Sequence, residues 1–329
     1  MSITTPALLE LRKAVRTWFE KLEPNSKVCI GVSGGADSLA LAAASKLESK
    51  NFAIDLIAVV VDHRLQANSE EIAQFAKQQL VRLGYEDVFI GRANVQITDG
   101  LEASARRARY KVFQQAIETY GANTFLLGHT KNDQAEGVLL GLARGSGTKS
   151  LSGMQEVSGI FIRPLLGIDR TTTEAACREA QIEFWIDPHN SNEDFTRVRV
   201  RENILPLLEN EIGPGIADAL SRSAKILRED ATALDQWAGE LFSKIDPSNI
   251  EISILAELPI AIRSRLLRLA IYAIGAPAGS ISAAHIEPIE ALVSDWRGQG
   301  HTALPGGVKV SRISGRLSLS RTDPIQPLK

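Results

Sequence analysis

The chain has 329 residues, with 37 basic and 39 acidic side chains and a formal charge of −2, so it has the length for about two ordinary domains and no global bias toward nucleic acid. At 44% hydrophobic it can bury a core, yet no run nears the roughly 20 apolar residues of a membrane span, and its first residues lack the pattern of a signal peptide; no membrane attachment is expected. Cys29 and Cys177 are the two cysteines and no CxxC occurs, which argues against a disulfide framework, a zinc site or an iron–sulfur cluster and fits a reducing cytoplasm.

The opening segment reads as an amphipathic helix. Lys27 to Val32 is a β-branched run ending in Ser-Gly-Gly, and Asp37 to Leu47 reads as an Ala- and Leu-rich helix, giving strand, glycine turn and helix. The unit recurs. Asp55 to His63 is apolar on both faces, and Asn68 with Glu71 is expected to cap a helix running to Leu83. Asp87 to Gly91 reads as a third strand, Gly100 to Tyr120 as a helix, Thr124 to His129 as a fourth strand and Asp133 to Leu142 as a helix before the Gly145-Ser146-Gly147 loop. Ile160 to Leu166 is expected as a fifth strand. Apolar strands alternating with helices predict an α/β class: a Rossmann-like parallel sheet with ligands at the strands' C-terminal ends, where Ser33, His63 and His129 fall. After Pro206 the residues Leu220, Ala224, Leu227, Ala231, Leu234, Ala238 and Leu241 follow the 4-3 spacing of a long amphipathic helix. The expected organisation is therefore a catalytic domain over 1–205, a linker helix over 206–245 and a small α+β domain over 246–329 closed by a hairpin.

Chemistry concentrates at the first turn, Ser33-Gly34-Gly35-Ala36-Asp37-Ser38. Two glycines free the backbone to point successive N–H groups at an anion, and the helix that follows adds its positive end. Phosphate is the natural guest. The lysine of a GxxxxGK[ST] loop is missing, so the turn suits pyrophosphate release better than γ-phosphoryl transfer. Asp37 beside phosphate calls for a divalent cation, and Mg²⁺ is the expected one; the alternative is an acid that serves only the helix dipole.

SGGADS resembles the signature of the PP-loop ATP pyrophosphatase superfamily. VDHRLQ, LEASARRARY, GHTKNDQAEG, LARGSG, RPLL and FWIDPHNSNEDFTRVRVRENILP then follow in the order seen in tRNA(Ile)-lysidine synthetases, and the last third is similar to that family's substrate domain. The resemblance implies that ATP adenylates the C2 carbonyl oxygen of the wobble cytidine in tRNA(Ile) with a CAU anticodon, and that the amine of free L-lysine then displaces AMP. It assigns Asp37 and Asp133 to Mg²⁺ and catalysis, and Asp133, Glu136 and Arg106 to catalysis and the incoming lysine. The ATP site would comprise residues 33–38 with His63 and His129. Two positions depart from the family pattern: Asn132 where Asp is usual and Gly137 where Thr is usual.

Residue chemistry gives independent support, because Asp133 and Glu136 stand i, i+3 on one helical face after a strand end. Arg106 and Arg109 also share a face, and arginine suits phosphate or carboxylate. Arg197, Arg199 and Arg201 alternate; in an extended segment they would line one side and meet the tRNA backbone, whereas pairing with Glu193, Asp194 and Glu202 is the structural alternative. Arg263, Arg265 and Arg268 form a further basic cluster. Two other readings stand beside the ligase: a different PP-loop tRNA modification such as thiolation, and a non-catalytic nucleotide-binding regulator. A homodimer is left open.

Overall fold

The computed structural model describes residues 5–64, 69–96, 100–145, 147–186 and 194–322. Asn68, Ser146 and Glu193 lie outside the described residues. The chain divides into two units, Met1–Leu227 and Arg228–Lys329.

The first unit begins with α1 (Pro6–Phe19), followed by β1 (Lys27–Val32), α2 (Ala36–Phe52), β2 (Asp55–Asp62), α3 (Ser69–Arg82), β3 (Asp87–Arg92), α4 (Leu101–Tyr120) and β4 (Thr124–Leu127). It continues through α5 (Lys131–Ala143), α6 (Thr148–Leu151), β5 (Val157–Ser158), β6 (Phe161–Ile162), α7 (Arg170–Glu179), α8 (Thr196–Arg199), a π-helical turn Val200–Ile204 and α9 (Leu205–Glu211). The sheet order is β3-β2-β1-β4-β6-β5, parallel except for the β5–β6 pair, so the expected sheet is present. From β1 the chain winds outward through β2 to β3, then returns to lay β4 along the other flank of β1. The gap between β1 and β4 is thus the topological switch point, where a parallel sheet leaves a crevice at its carboxyl edge.

Strand alternation builds two cores. Val28, Ile30 and Val32 point into the layer formed with Leu8, Leu11, Leu39 and Cys177, whereas Cys29 points with Ile57 and Val59 toward Phe113, Ala116 and Phe125. Helix α1 is fastened by charge as well as by its apolar face. Glu48 is fully buried between Arg12 (2.6 Å) and Arg16 (3.0 Å), and the Glu179 carboxylate accepts the Leu8 N–H at 2.9 Å.

Two expectations change. Ile160–Leu166 is a strand only at Phe161–Ile162, because Pro164 has no N–H to donate and the chain turns there, the Arg163 guanidinium donating to the Gln155 carbonyl at 2.7 Å. The 206–245 segment is not one helix: Gly213 (φ 129°) and Gly215 (φ 94°) flank Pro214 and separate α9 from α10 (Ile216–Phe242). The division between the units falls inside α10.

The second unit comprises the rest of α10, β7 (Asn249–Glu251), α11 (Ile252–Glu257), α12 (Ile260–Ala273), α13 (Ala283–Ser294), β8 (Thr302–Leu304), β9 (Val308–Ile313) and β10 (Arg316–Arg321). Its antiparallel sheet, ordered β7-β10-β9-β8, contains the expected closing hairpin and buries Val308, Val310 and Leu317 against Leu266, Ile271 and Ile289. The Arg263, Arg265 and Arg268 cluster is drawn into this unit's own structure. Arg263 is buried on Glu290 at 2.5 Å, Arg265 holds Asp235 at 2.7 Å and Arg268 donates to the Ile281 carbonyl at 2.6 Å. No helix among the described residues is long and apolar enough to cross a membrane.

Candidate active site at the sheet switch point

The loop after β1 is held open from within. Gly34 has φ 88°, a conformation that disfavours any side chain, and its carbonyl accepts the Trp185 N–H at 2.8 Å. The Ser38 hydroxyl accepts the Ser33 N–H at 3.1 Å and donates to the Gly35 carbonyl at 2.9 Å. No side chain caps α2 at Gly35, so its positive end faces the loop's concavity. Across the crevice, Gly128 lets the end of β4 approach closely: a Cβ there would lie 3.0 Å from the Asp37 carbonyl oxygen.

Helix α5, by contrast, is capped reciprocally. The Asp133 carboxylate accepts the Thr130 N–H at 2.8 Å and its hydroxyl at 3.1 Å, which fixes the orientation of the acid. Asp133 and Glu136 then project toward Asp37, and three arginines close the cluster. Arg197 Nε lies 2.7 Å from Glu136 Oε2 and its Nη2 3.2 Å from Asp133 Oδ1. Arg201 Nε lies 2.7 Å from Glu136 Oε1. Arg170 spans all three acids, at 3.2 Å from Asp37, 3.5 Å from Asp133 and 4.0 Å from Glu136. The Thr173 hydroxyl donates to Asp37 as well.

These surroundings drive the two aspartates apart. Burial raises the Asp37 carboxyl, with Asp133 adding to the effect, against the opposition of Arg170 and Thr173. Burial also works to raise Asp133, but Arg197, Arg170 and the Thr130 N–H outweigh it and hold that carboxyl below its ordinary value. Asp37 is thus left with charge that its neighbours do not fully balance. Its oxygen and those of Asp133 meet on one guanidinium, so both acids can serve one hard cation, and two carboxylates with substrate phosphates are the usual protein share of a Mg²⁺ site. Among the described residues no group of three or more His, Cys, Asp or Glu side chains could hold a metal ion, so a Mg²⁺ on Asp37 and Asp133 would need substrate phosphates to complete its ligands.

His63 and His129 flank the loop, at the ends of β2 and β4. Burial first, and neighbouring arginines second, lower both to about 4, so both rings are neutral at pH 7. Among the described residues neither Nδ1 has a hydrogen-bond partner. Because Arg109 Nε donates to His63 Nε2 at 3.4 Å, the His63 proton sits on Nδ1, a donor without an acceptor among the described residues. The unfolded chain binds protons on both rings below pH 6.5 and the folded chain does not until about pH 4, so the pair withdraws stability as pH falls through that window. Urea midpoints measured from pH 7 to 4.5 are expected to flatten in His129→Gln relative to wild type, by up to about 1.4 kcal/mol per pH unit.

Of the residues expected from sequence, Asp37, Asp133 and Glu136 meet on Arg170, His129 feels the charge of Asp133, and His63 stands after β2 against Arg109. Arg106 stands apart. Its guanidinium lies over the Tyr110 ring, 4.9 Å from the centroid, and bonds the Tyr110 hydroxyl at 3.2 Å, although its charge is felt at His129. The basic alternation at 197–201 is corrected: the segment is helical, not extended. Helical spacing places Arg197 and Arg201 on one face, against Asp133 and Glu136, and turns Arg199 away to the Asp194 carbonyl at 3.2 Å and the Thr196 hydroxyl at 3.1 Å. The alternation of buried Val198 and Val200 with the arginines is also the pattern of a strand, and it is the contacts of Arg197 and Arg201 with Asp133 and Glu136 that go with the helical turn. Arg170 and Thr173 were missed, although the DRTTTE stretch carries a cap-like Asp and opens a helix directly after RPLL.

The two departures from the family pattern have different consequences. Asn132 Oδ1 accepts the Arg170 N–H at 2.9 Å, a role that needs an oxygen and no charge. A Cβ at Gly137 would meet open space. Gly137→Ala is therefore expected to raise stability by about 1 kcal/mol, read as a higher urea midpoint with an unchanged slope.

Comparison with known proteins finds two matching stretches. Residues 8–208 match the PP-loop domain and residues 251–318 the TilS substrate binding domain. A tRNA(Ile)-lysidine synthase of Rhodococcus erythropolis is 46% identical over 325 residues, covering 97% of this chain and 97% of that protein. The chain belongs to the tRNA(Ile)-lysidine synthase family. The Thermobifida fusca synthase is 42% identical over 322 residues, covering 97% of this chain and 99% of its own. The solved structure of the U34-tRNA thiolase NcsA from Methanococcus maripaludis covers 68% of this chain and 80% of its own at TM-score 0.57; at 20% identity it shows a shared fold alone. The synthase family's PP-loop match contains every side chain of the carboxylate–arginine cluster.

Proposed function

We propose that this chain ligates L-lysine to C2 of the wobble cytidine of tRNA(Ile) with a CAU anticodon, converting ATP to AMP and pyrophosphate through an adenylated tRNA. The observation that carries the reading is the convergence of Asp37, Asp133 and Glu136 on the phosphate-type loop at the switch point. The loop amides and the start of α2 hold the phosphates, with His63 and His129 offering their unpartnered ring atoms beside them. Asp37 and Asp133 would hold Mg²⁺, which would supply positive charge to the phosphates.

Glu136 receives the lysine ammonium. Both its oxygens are occupied by Arg197 and Arg201 and its side chain is fully buried, so one guanidinium must give way to the ammonium. The exchange replaces one positive charge by another and keeps the cluster balanced. A carboxylate at hydrogen-bond distance then accepts the proton the amine must lose before it attacks C2. In this reading Arg106 turns from Tyr110 to meet the lysine carboxylate or the tRNA, and the 246–329 domain together with exposed Arg199 supplies the salt-sensitive backbone contacts. The thiolation alternative is disfavoured by the cysteines. Cys29 and Cys177 are both buried and burial pushes both thiols up to about 12, leaving neither as a sulfur carrier.

The test is incubation with ATP, Mg²⁺, labelled lysine and tRNA(Ile) bearing CAU, with the methionine tRNA as control. Label is expected in the isoleucine tRNA only, dependent on ATP and lost in Asp37→Ala. Absence of label, with Asp37→Ala releasing pyrophosphate like wild type, would reject the reading.

A further inference from the structure

We propose that Arg170 is a catalytic residue of ATP cleavage, its guanidinium passing from the carboxylates to the β- and γ-phosphates, and that Asn132 is the positioning residue that aims it. The proposal rests on the ATP-cleaving reading above.

Arg170 is the first residue of α7, and the construction of that helix start is unusual. The expected cap, Asp169, makes no side-chain cap bond; its carboxylate is taken at 3.0 Å by Lys131, which also holds Asp218 at 2.6 Å. The missing cap comes from another helix, as Asn132 Oδ1 on α5 accepts the Arg170 N–H at 2.9 Å. The Lys131 N–H donates to the Ile168 carbonyl at 2.9 Å, so α5 and the approach to α7 are pinned together at successive residues. The same α5 turn that carries Asp133 and Glu136 therefore fixes where Arg170 begins.

The guanidinium stands within 4.0 Å of three acids and is only partly exposed. For purely structural pairing that is an excess, because Arg197 and Arg201 already engage Asp133 and Glu136. What Arg170 alone among the three arginines reaches within salt-bridge distance is Asp37, the acid in the first turn of the helix that the phosphate loop opens. Arginine stays charged at any working pH, and its planar fork matches phosphate oxygens as well as carboxylate. An anion seated on the loop arrives beside this fork, and Mg²⁺ held by Asp37 and Asp133 would supply the positive charge that the fork takes with it.

In the step itself the cytidine C2 carbonyl oxygen forms a bond to the α-phosphorus, the bond from that phosphorus to the bridging oxygen breaks, and its electron pair departs on pyrophosphate. Arg170 transfers no proton. It balances the negative charge that gathers on the leaving group, as preorganised cations do in phosphoryl and nucleotidyl transfer.

The experiment is calorimetric titration of the full chain, without tRNA or lysine, with Mg²⁺ and α,β-methylene-ATP and separately with AMP. Arg170→Ala is expected to weaken the triphosphate analogue by about tenfold to a hundredfold and AMP by less than about twofold. Asn132→Ala is expected to weaken the analogue by several-fold, and Asn132→Asp, which keeps the oxygen acceptor, to restore it. Should Arg170→Ala not fold, Arg170→Lys, which keeps the charge without the fork, is to weaken the analogue by at least about threefold. Wild-type affinity for the analogue in the folded Arg170 variant, or an equal loss for AMP, overturns the role of Arg170 alone. A wild-type chain that binds neither nucleotide overturns the ATP reading with it.

Discussion

Asp133→Asn is expected to lower lysine transfer to tRNA by about a thousandfold while leaving the chain folded, and Asp133→Ala to lower both activity and stability. The two variants separate two jobs of one carboxylate. As the third residue of α5 it accepts the Thr130 N–H and hydroxyl, a cap whose loss costs about 1 kcal/mol. Asparagine keeps an oxygen there and alanine does not. As an anion, Asp133 also faces Arg197 at 3.2 Å, Arg170 at 3.5 Å and Arg201 at 3.8 Å, and offers the second oxygen donor beside Asp37. Neither substitute supplies that charge. Urea midpoints and single-turnover pyrophosphate release, measured on both variants, check the separation. A fully active Asp133→Asn would mean that the acid is a cap and nothing more.

Much of this site can be read along the chain because its parts are local. The glycine turn and the acids at i, i+3 each fall within a few residues, and the apolar strands announce a parallel sheet that sends their ends to one edge. The arginines are harder to place. Alternation at 197, 199 and 201 is equally a β pattern and, through the pair at i, i+4, a helical one; the acids Asp133 and Glu136 that Arg197 and Arg201 meet lie more than 60 residues away, so only the tertiary fold decides it. Arg170 is about 130 residues from Asp37 in sequence, and no local spacing connects them. Nor does local pattern reveal that Asn132 caps a helix other than its own. The short strand at Phe161 fails for a simpler reason, since an apolar run through Pro164 can be buried without pairing.

Glu136→Ala is expected to destabilise the first unit by about 2–4 kcal/mol, a large share of a typical domain's total. The side chain is 0% exposed and accepts Arg197 Nε and Arg201 Nε, each at 2.7 Å, with a further Arg201 bond at 3.1 Å. Removing it strands two guanidinium groups beside one remaining partner, Asp133. They are 35% and 22% exposed, so water relieves part of the penalty, and the estimate lies below that for a fully buried pair. The consequence for a double variant is specific. Glu136→Ala with Arg201→Ala should be less destabilised than the sum of the two single changes, because the second deletion removes a charge the first left unpaired. Glu136→Gln keeps the shape and one acceptor, so it should recover much of the stability yet raise the KM for lysine, since an amide offers the ammonium no charge. Additive stabilities in the cycle would mean that the ion pairs are not coupled through Glu136, and an unchanged lysine KM in Glu136→Gln would place the ammonium elsewhere.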